Sequence, residues 1–239
     1  GTSVNRVQDN YVVQWGDATE KKPLPAGLET VPEDEYMIRP PQGLAESGIF
    51  FSYQGNRDTH SPKHLLDRTV LRGYSPGATD TYYYGFPISG WSSMHGTRAW
   101  PVHCYGMVGV GRGMSPDTGS GAELYTVIGH APRHLDRNIA LVGRIVEGME
   151  HLSSLPRGSG ALGFYTAEEA DKRTPIVSVR VASDLPDSER PAFEYLSTEG
   201  ETFTRYAEAR ANRRDPFFIH PAGGADICNI PVPVRRVAD

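Results

Sequence analysis

The chain is short of cysteine, has no long apolar run and carries no excess of basic charge. Two cysteines in 239 residues, Cys104 and Cys228, exclude a disulfide-dense scaffold. Neither sits in a ligand-spaced pair, so no structural zinc site is expected. They read either as two small buried hydrophobes or as one long-range disulfide tying the C-terminal tail to the body in an oxidising compartment. No stretch of eighteen apolar residues occurs, so no membrane-spanning helix is expected. Lys and Arg number 24 against 29 Asp and Glu, a net charge of −5, and the arginines are scattered. That excludes the clustered basic face on which nucleic-acid binding rests. There are no internal repeats, and no charged-then-apolar leader stands at the start.

Glycine and proline, by contrast, are frequent, with 26 and 19 copies. This favours a loop-rich, mainly β architecture, and 239 residues are enough to bury a real core. The segment Asn10–Trp15 (NYVVQW) is β-branched and aromatic, and Gly16-Asp17 stops it. Residues 18–101 read as a large insertion punctuated by Pro and Gly, with regular structure expected only at Gly48–Tyr53 and Tyr82–Phe86. Strands are expected again at Tyr105–Val110, in AELYTVIG and in IALVGRIV. A helix follows in EGMEHLSSL, ended by Pro156, and a closing strand over Ile176–Val181. Beyond Asp184, Phe203, Tyr206 and Ala207 have helical spacing with Thr202 as the cap, and prolines 231 and 233 keep the tail extended.

Three blocks, VNRVQDNYVVQWGD, GMVGVGRG…GSGAELYTV and HLDRNIALVGRIVEGMEHL, stand in an order that resembles the cyclophilin family of peptidyl-prolyl isomerases. That family shows Phe-His-Arg-Val with a following Gln-Gly-Gly-Asp, Gly-Ser-Gln-Phe-Phe, and Leu-Asp-Gly before Val-Phe-Gly. Within it, the chain is similar to the long cyclophilins of aquatic bacteria. The resemblance implies a mainly β fold: an antiparallel eight-stranded barrel with capping helices, here with a long insertion and a C-terminal extension. Residues 1–185 would form the cyclophilin-like domain, 18–101 its insertion, and 186–239 an extension packed on the barrel. The family's first two strands and first helix are absent from the sequence, so a missing N-terminal segment of the same protein is an expected partner.

Rotation about an X–Pro bond faces a barrier of roughly 18–20 kcal/mol and takes tens to hundreds of seconds uncatalysed. It needs no nucleophile, metal or cofactor. A hydrogen-bond donor aimed at the proline nitrogen bonds only when the amide is twisted and its lone pair has returned, which makes the donor catalytic. The resemblance assigns that role to Arg6, and a guanidinium suits it as an always-charged, rigid fork of donors. It further assigns substrate binding to Tyr11, Val12, Gln14, Gly111, Arg112, Glu123, Tyr125, His134 and Leu135. Strict alternation sets Tyr11 and Gln14 on opposite faces, so a bulge near Asp9–Asn10 or a side approach is expected. A register one residue away, with Leu124 or Thr126 in place of Tyr125, stays open.

The chain departs from the family at Asn5, Trp15, His134 and Ile139, which puts high cyclosporin affinity in doubt. His130 and His134 are separated by Pro132 and do not make a helical metal pair. His103-Cys104 lacks an orienting partner for thiol catalysis, and the Gly-rich runs lack the Lys-Ser/Thr of a phosphate cradle. Tyr82 to Tyr84 with Phe86, Trp91 and Trp100 read as the core of the insertion. The expectation is a prolyl isomerase acting on proline-containing polypeptides, assisting their folding. The alternative is a non-catalytic cyclophilin-like module that binds proline peptides or a partner. A disulfide would place it in the periplasm or outside the cell, and the cytoplasm is the alternative.

Overall fold

The computed structural model describes residues 1–17, 19, 21–39, 78–93 and 96–237. The strand expected at Gly48–Tyr53 lies outside them. Among the described residues there are ten strands: β1 (Ser3–Val7), β2 (Val12–Gly16), β3 (Thr79–Tyr83), β4 (Phe86–Ser93), β5 (Gly96–Pro101), β6 (Met107–Val110), β7 (Glu123–Val127), β8 (Leu141–Arg144), β9 (Phe193–Tyr195) and β10 (Val234–Arg236). Among the described residues two α-helices, α1 (Met149–Ser153) and α2 (Glu201–Ala211), accompany them. The fold is mainly β. The chain divides into two compact units, one of Gly1–Tyr36 with His103–Ala192, the other of Met37–Val102 with Phe193–Asp239. The C-terminal stretch from Phe193 shares a unit with most of the insertion.

The first unit is built on an antiparallel sheet of order β1-β2-β7-β6-β8. Alternation along β2 gives the sheet two apolar faces. Val13 packs with Val4, Val7, Ile128 and Tyr165, and Met149 and Leu152 of α1 close over this cluster with Trp15 and Leu155. Burying one such valine contributes about 1.5–3 kcal/mol. Val12 points the other way, into a second cluster with Tyr125 and Val127, edged by the half-buried Tyr11 and Ile139. The β1–β2 connection is a turn, closed by Tyr11 N–H donating to Gln8 O at 3.2 Å, with Asn10 at φ 51°. Gln8 N–H then donates to Val12 O at 2.9 Å, which leaves Tyr11 outside the ladder and free to share a face with Val12. A second irregularity falls at Asn5, between the pairs Val4↔Trp15 and Arg6↔Gln14.

The closing strand expected over Ile176–Val181 does not form. Its alternation is real, but Val177, Val179 and Val181 are 93%, 81% and 63% exposed. Pairing with β1 is confined to the Ser3↔Pro175 bridge, flanked by Val4 N–H to Thr174 O and Ile176 N–H to Thr2 O.

In the second unit β3, β4 and β5 form a meander. The sequence reading of one strand over Tyr82–Phe86 ran straight across its first turn. Tyr83 pairs with Phe86, and Tyr84 and Gly85 stand between them at φ 44° and 78°, both left-handed as a two-residue hairpin turn requires. Helix α2 begins after Gly200, not at Thr202, which lies inside it without capping. Phe203, Ala207 and Ala211 form its buried stripe at intervals of four. The Phe203 ring meets Tyr82 edge-on at 4.8 Å, and the buried Tyr82 hydroxyl lies 2.9 and 2.6 Å from the carbonyls of Ile227 and Ile230. Trp100 is buried against Trp91, whereas Tyr84 is exposed, so the aromatic group is core only in part.

Candidate functional site

Arg6 sits on β1, paired with Gln14 of β2, and its guanidinium is held on three sides. Nε donates to the carbonyl of Leu162 at 2.7 Å, Nη1 to Gln14 Oε1 at 3.2 Å, and Nη2 to Gln8 Oε1. The rings of Tyr11 and Phe164 flank it, their centroids 5.7 and 5.3 Å from the guanidinium carbon. Burial draws the Arg6 pKa below its ordinary value, and the neighbouring Tyr11 and Glu123 oppose that. A guanidinium stays charged through such a shift. Of its five N–H groups these contacts use three, which leaves donors to offer. Tyr11 is shifted upward, by burial first, with Arg6 acting against it.

Behind Arg6 the polar contacts continue in one direction. Gln14 Nε2 donates to Glu123 Oε2 at 3.0 Å, which fixes the amide so that its oxygen faces Arg6. Asn5, standing where the family carries histidine, donates its Nδ2 to the other oxygen of Glu123. Gly111 abuts the same pair: a Cβ there would lie 3.2 Å from Glu123 Cβ and 3.5 Å from Gln14 Nε2. Its N–H donates to Glu123 O at 2.9 Å. Gln14 is opposite Tyr125 in the ladder, so Glu123, Tyr125 and Val127 share the face of Val12 and Gln14, while the fully buried Thr126 faces the other way.

On that face Tyr11 and His134 lie parallel, centroids 6.0 Å apart and planes 8° apart. His134 is exposed and Leu135 half-buried, both on a 3-10 turn, Arg133–Leu135. Arg112 is not drawn in with them. Its guanidinium binds the carbonyls of Asn138 and Gly113, at 2.8 to 3.0 Å, and so braces the loop after β6. Cys104 and Cys228 are both disulfide-bonded. Among the described residues no three His, Cys, Asp or Glu gather as a metal site, and no helix is long and apolar enough to cross a membrane.

Sequence reading missed the turn Ala161–Gly163 and Phe164, which bridges to Arg6. The signal was the glycine spacing in GSGALGF. A Cβ on Gly163 would stand 2.6 Å from Gln8 Cα, and one on Gly158 would stand 2.2 Å from the Gly163 carbonyl. Only glycine lets this turn lie against the hairpin and present Leu162 O to Arg6. His103, weighed in the sequence only as the neighbour of Cys104, and Asp136, given no role there, are both buried.

Comparison with known proteins agrees with this geometry. The family described as cyclophilin type peptidyl-prolyl cis-trans isomerase/CLD matches residues 1–181. Among solved structures, the cyclophilin AquaCyp293 from Hirschia baltica is similar, with a TM-score of 0.65 and 22% identity, over 99% of this chain and 76% of that one. No curated protein matches the chain. A family match that spans the whole of the first unit's sheet makes this chain a member of the cyclophilin-type peptidyl-prolyl cis-trans isomerase family.

Proposed function

We propose that the chain accelerates rotation about X–Pro bonds in flexible polypeptides through Arg6. The proline ring rests on the apolar face of Tyr11, Val12, Tyr125 and Leu135, and Gln14 and Gly111 contact the substrate backbone. As the amide twists, conjugation is lost and the nitrogen lone pair returns; an Arg6 N–H donates to it there and only there. A gain of about a million-fold would need roughly 8 kcal/mol, so the apolar face shares the work by holding the ring still. The observation that carries this reading is the three-point grip on Arg6 by Leu162, Gln14 and Gln8. A donor already fixed costs no reorganisation at the moment of reaction.

A protease-coupled isomerisation assay on an Ala-Pro peptide tests it, with Arg6→Ala alongside. Losing the donor lowers kcat/KM by about 10²–10³-fold. A wild type no faster than Arg6→Ala would overturn catalysis in favour of a proline-binding module. The disulfide-bonded cysteines support a periplasmic or secreted location, where such bonds persist. Thiol titration of the denatured, unreduced protein is expected to find none, and two free thiols would remove that support.

A further inference from the structure

One buried titratable side chain plays no part in the mechanism above, and it joins two walls of the proposed proline site. His103 is 1% exposed and lies between Asp136 and Tyr125. Its Nδ1 is 2.8 Å from Asp136 Oδ1, and its backbone N–H donates to the same oxygen at 3.0 Å. Its Nε2 is 2.8 Å from the Tyr125 hydroxyl. Arg133 Nε donates to the second Asp136 oxygen at 2.7 Å. The partners dictate the proton positions. A carboxylate facing Nδ1 calls for the proton there, which leaves Nε2 as an acceptor, so Tyr125 donates. Arg133 and Asp136 balance each other's charge, and all four members are buried.

The three segments so joined carry the substrate face. Asp136 immediately follows His134 and Leu135 on their turn, Tyr125 lies on β7, and His103 leads into β6. The far end of the Tyr125 ring also rests on Gly109, where a Cβ would be 2.3 Å from both Cζ and Oη. The hydroxyl is thus guided over a residue without a side chain onto the imidazole. A phenylalanine would fit the apolar cluster of Val12 and Val127 equally well, so packing does not explain the hydroxyl.

We propose that His103 is a positioning residue for proline recognition: through Asp136 and Tyr125 it sets the spacing between the Leu135 turn and the β7 wall. This rests on the isomerase reading of the face. The chain of bonds makes the two walls move as one, and it does so without touching Arg6. Its loss therefore loosens the grip on the proline ring and leaves the donor untouched.

Two variants of the full chain break the same bond from opposite sides. Tyr125→Phe removes the hydroxyl and keeps the ring. His103→Asn keeps a donor for Asp136 and withdraws from Tyr125, whereas His103→Gln reaches Tyr125 and restores the spacing on that side. The expected result is kcat/KM for an X–Pro peptide lowered about fivefold to tenfold in Tyr125→Phe and in His103→Asn, with the larger part of the change in KM. The double variant is no worse than either single one, and His103→Gln recovers part of the affinity. An unchanged KM in a folded Tyr125→Phe, or additive losses in the double variant, overturns the proposal. Proline-peptide affinity followed by NMR in the same variants gives the second readout. Wild type without isomerase activity defeats the isomerase reading alone, since the same fivefold to tenfold weakening of peptide binding is still expected and its absence still overturns the role of His103.

Discussion

Arg6 Nε donates to the carbonyl of Leu162 at 2.7 Å, across 156 residues of sequence. Leu162 itself is exposed and held at φ 56°, a left-handed conformation that a leucine adopts at a cost. The turn's shape, not the leucine side chain, is what serves Arg6. With Gln14 and Gln8 it gives the guanidinium three fixed acceptors, so the orientation of the donor is set before substrate arrives.

Gln14 bridges Arg6 and Glu123, accepting from one and donating to the other. Gln14→Glu keeps the acceptor for Arg6 but sets a carboxylate against Glu123. The new carboxylate loses the bond to Glu123, is repelled by it and carries the guanidinium it holds out of place. At neutral pH kcat is expected to fall about tenfold or more, the fold-change of a charge-assisted hydrogen bond worth about 1.5–3 kcal/mol. Repulsion raises the pKa of one carboxyl of the pair, so that carboxyl takes up a proton as pH falls and activity returns in part. A pH–rate profile of the variant against wild type checks both statements.

At Gly109 the constraint is steric. An added methyl would sit 2.3 Å from the end of the Tyr125 ring, closer than atoms can pack. Gly109→Ala therefore displaces the ring and costs about 1–3 kcal/mol of stability. Urea unfolding measures that cost. Combining it with Tyr125→Phe relieves the contact at Oη but not at Cζ, so recovery is expected to be partial.

Glu169 holds the turn that serves Arg6. Its carboxylate accepts from Lys172 Nζ at 2.6 Å and from the N–H groups of Ser159 and Thr166, both at 3.1 Å. Those bonds, Lys172 first, bring its pKa to about 2 against an ordinary 4.5. A depressed carboxyl stabilises the fold above its ordinary pKa, and that contribution is lost as pH falls through the folded value. Glu169→Gln is thus expected to melt below wild type at neutral pH. The gap closes between pH 4.5 and about 2, and thermal melts across that range follow it.

How far the sequence reaches is decided by where each partner lies. Arg6, Gln14, Glu123 and Tyr125 were reached through the resemblance, because each sits in a contiguous block that matches the family; alternation alone left the face of Tyr11 and the register of Tyr125 open. Leu162 was not, since it acts through a backbone carbonyl that any residue supplies, at a turn far along the chain. Val177 and Val179 failed the other way: alternation predicts a buried face, but burial also needs a pairing strand, and β1 gives one only at Ser3. In Tyr82–Phe86 high β-propensity masked a turn, although Gly85 marked it. Thr202 offered a capping oxygen, but the cap position falls two residues earlier, at Gly200, and no side chain caps the helix.

The second unit makes its own prediction at Tyr82. This hydroxyl is buried, its pKa is driven up by burial, and it faces the carbonyls of Ile227 and Ile230. It therefore joins β3 to the turn Ile227–Asn229, over the Phe203 ring of α2. Tyr82→Phe keeps the edge-on ring contact and removes the one hydroxyl donor the two carbonyls share; Ile227 O keeps the Ile230 N–H at 3.1 Å, so the loss falls on Ile230 O, a cost of about 1–3 kcal/mol. Because the chain forms two units, a single unfolding midpoint would blur that loss. Amide hydrogen exchange resolves it: faster exchange is expected along β3, β4 and β5 and through α2, with the β1, β2 and β7 amides unchanged. Uniform acceleration across both sets would mean that the hydroxyl's contribution is not confined to its own unit.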